Sequence, residues 1–385
     1  MDKISRRELI GNFFRRILLP AAALRVSGLF SGKVFAETGR DKRIDDVHIY
    51  EIREAMWYKK LPDQQIQCGL CPWQCVVGAG RRGRCEVREN TDGKYETLVF
   101  ANACTSAVDP IEKKPFFNFL PGSRAFSLAC AGCNVECKFC QNWQISQSKP
   151  EDLNAAHLPP EKVVQEAKSR DIPVIAFTYS EPNVFYEYVY ETAKVAKKAG
   201  IKTVVISNGF INEGPLKELC RYIDGYKVDL KGFTEDFYRK ICNGELKPVL
   251  KTLEVLKKTK VWSEIVYLVI PSLNDNESDV RKMCVWIKQN MGTGIPLHFS
   301  RFHPDYKLLN LPPTSPETLT NLYELAKGEG LDYVYVGNLP GHIGENTFCP
   351  ACGKKIISRT GYDIKNSVKN GKCPFCGKSI AGVWS

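Results

Sequence analysis

The stretch Cys133-Asn134-Val135-Glu136-Cys137-Lys138-Phe139-Cys140 holds three cysteines with three and then two residues between them. Three thiolates in so short a loop can each hold one iron of a four-iron cubane, which leaves the fourth iron without a protein ligand. An iron with an open position binds a chelating small molecule, whereas a closed cluster only passes electrons. The same loop also suits a zinc site, or a closed ferredoxin-like cluster in which Cys130 supplies the fourth thiolate. The surrounding sequence has to choose between them.

Outward from this loop the chain alternates between apolar runs and helical patterns. The runs fall at 125–130, 174–178, 203–207, 226–230, 265–270, 296–301 and 333–336. Between them, 183–199 is apolar at helical spacing and is stopped by Gly200. Residues 317–326 follow Ser315-Pro316, with proline where a first helical turn accepts it. Near-continuous apolar strands alternating with helices imply an α/β fold of parallel strands covered by helices on one side or both. Six or seven such units predict an open or closed barrel, with a doubly wound sheet as the alternative. The cysteine loop follows the first strand of the array.

Two stretches carry a resemblance. Residues 133–146 end in Cys-Gln-Asn-Trp-Gln-Ile-Ser, and residues 335–353 read Tyr-Val-Gly-Asn-Leu-Pro-Gly-His-Ile-Gly-Glu-Asn-Thr-Phe-Cys-Pro-Ala-Cys-Gly. Both resemble the radical S-adenosylmethionine (radical SAM) superfamily. More narrowly they resemble the radical enzyme of the AmmeMemoRadiSam system, a relative of pyruvate formate-lyase activating enzymes. The resemblance extends over roughly residues 60–353. It implies a radical-SAM-type partial (β/α) TIM-like barrel at 121–345 and a [4Fe–4S] cluster on Cys133, Cys137 and Cys140. S-adenosylmethionine would chelate the open iron through its amino and carboxylate groups. A one-electron reductant such as flavodoxin or ferredoxin would drive its cleavage to a 5′-deoxyadenosyl radical that abstracts hydrogen. The protein's share is then positioning and exclusion of water.

Further site residues are expected at the C-terminal ends of the strands. Ser180 and Glu181, after the second strand, stand at the family's cofactor-binding position, with Glu181 expected to accept from the cofactor ammonium. A helix-cap neighbour is the plainer role for Glu181. Asn208, after the third strand, is a second cofactor-binding candidate or a simple turn residue. Asp229 and Lys231 lie two apart and so point to one side of an extended chain. The resemblance places them near the cofactor ribose and the substrate, and a surface ion pair is the alternative. Residues 270–275 would flank the adenine. His303 is expected over the substrate as an acid–base or orienting group, or as a structural cap, and His342 is a weaker candidate for the same mouth.

Two more cysteine groups flank the array. Cys349, Cys352, Cys373 and Cys376 form paired CxxC knuckles, which close a tetrahedral structural zinc site in a ribbon at 346–385. A piece of that size has too little core to fold without a staple. Cys68, Cys71, Cys75 and Cys85 form another four-thiolate set within a Cys-rich region at 37–120. Structural zinc and an auxiliary iron–sulfur cluster both fit it, and Arg81, Arg82 and Arg84 in its loop would help neutralise either. Cys104, Cys220, Cys242 and Cys284 stand apart, as buried apolar residues do. Clustered cysteines of this kind read as metal ligands rather than a disulfide framework, which implies assembly in a reducing compartment.

The net charge of +11 sits at the two ends, +6 in residues 1–43 and +6 in residues 349–385. The stretch between them is nearly neutral, so charge supplies no strong signal for nucleic acid. The sequence shows no run of some twenty uncharged apolar residues, which excludes a multi-pass membrane protein. Residues 1–36, with Ser5-Arg6-Arg7-Glu8-Leu9-Ile10, read as a twin-arginine export leader or as a basic N-terminal helix. Export would separate the enzyme from S-adenosylmethionine and reductant, so a cytoplasmic location is the expectation. The expected function is hydrogen abstraction from an unknown substrate, a partner protein among the options, with Memo- and AMMECR1-type proteins as expected associates. The competing functions are activation of a glycyl-radical enzyme and, in another class, a non-catalytic electron carrier or metal-binding scaffold.

Overall fold

Seven of the strands expected from the apolar runs form and pair in chain order. The computed structural model describes residues 40–44 and 48–385, with side chains from Glu51 onward. The leader expected at 1–36 lies outside the described residues. One sheet holds eight strands: β1 (Thr105–Pro110), β2 (Arg124–Ala129), β3 (Val174–Phe177), β4 (Lys202–Ser207), β5 (Gly225–Asp229), β6 (Trp262–Val269), β7 (Leu297–Arg301) and β8 (Val334–Gly337). Their spatial order is the chain order. All neighbours are parallel except β1 and β2, which are antiparallel.

That order decides where the helices lie. Parallel crossovers are almost always right-handed, so a sheet that always steps in one direction receives its helices on one face. Here they are α1 (Pro160–Ser169), α2 (Tyr186–Lys198), α3 (Glu213–Leu219), α4 (Leu246–Lys257), α5 (Glu277–Asn290) and α6 (Pro316–Gly328). Ser315 caps α6 by accepting from the Thr318 amide at 3.0 Å, as its position before Pro316 implied. Strand residues of one parity, such as Phe126, Leu128, Ile175, Phe177 and Val205, join the helices in the main core. Residues of the other parity, Ala125, Val174, Ala176, Val204 and Ile206, pack instead with Ile111, Phe116 and Phe119. The second face is thus left to the segment after β1, which the sequence reading had assigned to a separate N-terminal region at 37–120. The reason is β1 itself: Thr105-Ser106-Ala107-Val108-Asp109-Pro110 has neither a two-residue period nor an apolar run to reveal it.

The C-terminal hairpin (Lys355–Thr360 and Asp363–Asn366) and the residues after it are tied to the segment between β1 and β2. Arg359 donates to the Phe117 carbonyl at 2.7 Å, and Val383 donates its amide to the Asn118 carbonyl at 2.7 Å. Among the described residues, no helix is long and apolar enough to cross a membrane.

Candidate active site

The loop after β2 is held from both sides. The amides of Glu136 and Lys138 donate to the carbonyls of Cys242 and Ile241 at 2.8 and 2.9 Å, and Gly132 donates to the Ile145 carbonyl at 2.9 Å. Gly132 has φ +95°, and a Cβ there would lie 2.6 Å from Val87 Cγ1 and 2.9 Å from the Cys85 carbonyl oxygen. Glycine is required by backbone conformation and by space together. Gly132→Ala should therefore cost about 1–3 kcal/mol and lower the iron retained after reconstitution. Thermal unfolding with iron analysis checks this, and an unchanged melting temperature would count against the close approach.

Cys133, Cys137 and Cys140 all face one cavity of about 670 Å³ on the face of the sheet away from the helices. Cys130 does not. It is fully buried, and its thiol is directed to the Val99 carbonyl at 3.4 Å. No fourth thiolate from Cys130 therefore reaches the cavity. The sulfurs also indicate what the three cysteines can hold. A single tetrahedral ion brings thiolates to about 3.8 Å of one another. Among the described residues, the only set of ligand atoms all within 4.8 Å is that of Cys349, Cys352, Cys373 and Cys376. The three loop sulfurs are spread more widely while facing one space, which suits a cluster and not a lone ion. Cys242, fully buried, sits beside Cys137, and its hydrogen bond holds the Cys137 thiol below the usual range. Phe139, buried next to Cys140, packs its ring 6.3 Å from Phe237 and so fixes the last turn of the loop.

Five expected residues join the cysteines at this cavity: Ser180, Glu181, Asn208, Asp229 and Lys231. Glu181 is buried, and its carboxylate accepts from Ser207 Oγ at 2.7 Å, the Asn208 amide at 2.8 Å and the Asn183 amide at 3.1 Å. It holds the end of β4 against β3. Burial pushes its pKa up to about 7, against the three hydrogen bonds that favour the ionised form. Ser180 spends its hydroxyl proton on the Cys130 carbonyl at 2.6 Å. Asn208 donates to Asn134 Oδ1 at 2.8 Å and faces Cys133 Sγ at 3.7 Å. Asp229 is an ion-pair partner of both Lys227 and Lys231, the latter at 3.5 Å. Burial works to raise the Asp229 carboxyl, but the two ammonium groups hold it below the ordinary range. The pair is therefore internal and faces the cavity.

The expected histidine is misplaced. His303 is exposed beyond the end of β7, with Nδ1 3.0 Å from the Pro304 carbonyl, and does not line the cavity. His342 contacts Thr320 at 3.3 Å and accepts from the Gly344 amide, again away from the cavity. Residues 270–275 do not line it either. Asn274 instead ties the end of β6 to the carbonyl of Lys231 at 2.8 Å. The histidine on the cavity is His298, five residues upstream and inside β7, with Nε2 2.6 Å from Glu264 Oε2. Strand alternation puts residues 298 and 300 on the cavity face. Past residue 301 the pleat ends, and nothing local dictates direction. The polar His and Ser alternating with Leu297 and Phe299 were the signal that could have found it.

Two more groups were missed. Lys227 continues the alternation of Asp229 and Lys231 by one more step and is buried. Lys114 reaches the cavity from the segment after β1, donating to Asp109 at 2.6 Å and to Tyr179 Oη at 3.1 Å. Burial lowers the Lys114 ammonium to about 8, despite the carboxylate beside it. In the C-terminal group, Cys349 and Cys376 lie 3.6 Å apart and Cys352 and Cys373 3.8 Å apart, the spacing one tetrahedral ion imposes. Gly361 and Tyr362 of the adjacent hairpin complete part of the cavity wall.

Known proteins can now be set beside this geometry. The model of the radical SAM superfamily matches residues 128–284, which span the cysteine loop and the strands from β3 to β6. An uncharacterised protein of Methanocaldococcus jannaschii, MJ0808, is 44% identical over 332 residues, covering 86% of this chain and 99% of its own. The pyruvate formate-lyase-activating enzyme of Clostridium pasteurianum is 25% identical over 214 residues, 51% of this chain and 87% of that one. Among solved structures, a radical SAM methyltransferase from Sphaerobacter thermophilus has a TM-score of 0.46 at 14% identity, covering 62% of this chain and 71% of that chain. The family model over the cysteine loop and the activating-enzyme relatives agree with this geometry: the chain is an enzyme of the radical SAM superfamily, a class that implies a [4Fe–4S] cluster and S-adenosylmethionine.

Proposed function

We propose that Cys133, Cys137 and Cys140 hold the cluster and that S-adenosylmethionine occupies the adjoining cavity, where the enzyme abstracts hydrogen from a substrate bound against the same wall. The observation that carries this is that the three thiols share one cavity with Ser180, Glu181, Asn208, Asp229 and Lys231 while Cys130 faces away. When bound, the cluster and cofactor supply one-electron cleavage of a sulfonium and a hydrogen-abstracting fragment.

The chain's residues do the rest. Asn208 supports the Cys133 sulfur and holds the loop to β4. Glu181 shapes the end of β4 and keeps a carboxylate beside the position expected for the cofactor ammonium. Lys231, fixed by Asp229 and lying with Nζ 5.8 Å from the Phe139 ring centre, sets a cation near the cluster loop. His298, held by Glu264, lines the cavity with Ser300 and is better placed than His303 to orient a substrate. The C-terminal quartet takes a structural zinc, and its hairpin closes part of the wall.

The wider resemblance to the AmmeMemoRadiSam enzyme supports a role beside Memo- and AMMECR1-type proteins, with reduction by flavodoxin or ferredoxin in the cytoplasm. A second reading, activation of a glycyl-radical enzyme, is favoured by similarity to activating enzymes for pyruvate formate-lyase and 4-hydroxyphenylacetate decarboxylase. The test is anaerobic reconstitution followed by addition of dithionite and S-adenosylmethionine. 5′-Deoxyadenosine and methionine should appear in equal amounts. A fully loaded cluster that yields neither would overturn the reading.

A further inference from the structure

Cys68, Cys71, Cys75 and Cys85 take no part in the active site, yet all four line a second, smaller cavity together with Trp73, Arg88 and Asn134. Their sulfur spacing separates two kinds of occupant. The C-terminal quartet is drawn together to the distances one tetrahedral ion requires, 3.6 and 3.8 Å for two of its pairs. The N-terminal quartet is not. Among the described residues, no three of its sulfurs lie within 4.8 Å of one another. Four thiols that ring a space without approaching each other suit a polynuclear cluster, where each binds a different metal corner.

Position supplies the second argument. Trp73, between Cys71 and Cys75, donates Nε1 to the Asn134 carbonyl at 2.7 Å. Asn134 is bonded in sequence to Cys133, and its side chain accepts from Asn208, which faces the Cys133 sulfur. On the other side of Cys133, Gly132 lies directly against the Cys85 carbonyl. Asn212 adds a third tie, donating to the Gly69 and Cys71 carbonyls at 2.8 and 3.1 Å. Both residues flanking Cys133 therefore touch the quartet's loops. The quartet meanwhile approaches the surface near Val76, which is 58% exposed, and the exposed Arg81 and Arg84. Arg88 lies beneath it, 1% exposed and paired with Glu187 at 2.5 Å, a buried cation beside a site whose negative charge would grow on reduction.

We propose that Cys68, Cys71, Cys75 and Cys85 hold a second [4Fe–4S] cluster that takes one electron from an external one-electron reductant and delivers it through Trp73 and Asn134 to the cluster on Cys133, Cys137 and Cys140. The transfer oxidises the second cluster from its 1+ to its 2+ state and reduces the active-site cluster from 2+ to 1+, with no bond made or broken. Its destination rests on the function proposed above. The metal at the quartet does not.

The full chain, reconstituted without oxygen, should contain about eight irons, about eight sulfides and one zinc. The Cys133→Ala/Cys137→Ala/Cys140→Ala variant lacks the residues on which the active-site reading depends. It should keep half the iron, with the Mössbauer and reduced-state paramagnetic signatures of one four-iron cluster. Four irons and two zincs in the wild type, or zinc in place of iron in the triple variant, would overturn the proposal. The wild-type count stands even if the variant fails to fold. Rapid-freeze paramagnetic resonance after mixing with less than one equivalent of reductant tests the transfer, since S-adenosylmethionine perturbs only a cluster with an open iron. A signal insensitive to S-adenosylmethionine should rise first and decay as the sensitive one grows. The reverse order would sink the relay.

Discussion

Cys137→Ala should lose 5′-deoxyadenosine formation by at least about 100-fold, while Cys130→Ala should retain it. The lower limit follows because even partners outside a metal's own ligands cost 10–100-fold when removed, and Cys137 is one of only three thiols facing the cavity. Two remaining thiolates leave two irons of a cubane without protein ligands. Cys130, seven residues earlier and also buried, makes its contact with the Val99 carbonyl instead. Its removal should cost about 1 kcal/mol of stability and none of the active-site iron. Product analysis by chromatography on equal amounts of iron-loaded protein separates the two cases. If Cys130→Ala loses the nucleoside and Cys137→Ala keeps it, the ligand set is wrong and a closed cluster returns.

Glu264→Ala should be strongly destabilising, at roughly 3–5 kcal/mol, because it strips several buried donors of one shared acceptor. The carboxylate is fully buried and accepts four hydrogen bonds: from the Phe117 and Asn118 amides at 3.0 and 2.9 Å, from Trp262 Nε1 at 2.9 Å and from His298 Nε2 at 2.6 Å. Burial lowers the His298 pKa despite that partner, so the imidazole donates as a neutral ring. Alanine leaves four donors without their acceptor behind the cavity wall. The effect should spread, because Asn118 in turn donates to the Ala381 carbonyl at 2.8 Å and accepts from Tyr335 Oη at 2.6 Å. The C-terminal hairpin would lose part of its anchorage with the active-site wall. A fall in melting temperature of several degrees or more, with earlier proteolysis of residues 346–385, is the expected result. A variant melting within a degree of wild type would mean that the network contributes little.

How much of this was legible in the sequence depends on the range of the interactions. The seven parallel strands, the helices between them, the cluster loop and the C-terminal quartet are local patterns. Apolar periodicity, a capping Ser315-Pro316 and cysteine spacing each lie within one short stretch of chain. The placing of Asp229 and Lys231 on one side needed only the alternation of a strand, and the same alternation would have exposed Lys227 and His298. His303 lies off the cavity, past the last paired residue of β7, where no pleat fixes direction.

The chain by itself thus determined seven of the sheet's strands, the helices between them and their alternation, and the spacing of the cysteines. Tertiary structure alone decided three other things. It brought β1 to the edge of the main sheet by antiparallel pairing with β2, and Lys114 to the cavity that the sheet lines. It set Glu264 between Phe117, Trp262 and His298, a network assembled across up to 147 residues of separation. And it set two cysteine quartets apart, drawing the C-terminal one to the size of a single ion and placing the N-terminal one around a small cavity beside the Cys133 loop. The physical reason is common to all three: burial and hydrogen-bond satisfaction are properties of neighbours in space, and periodicity records only neighbours along the chain.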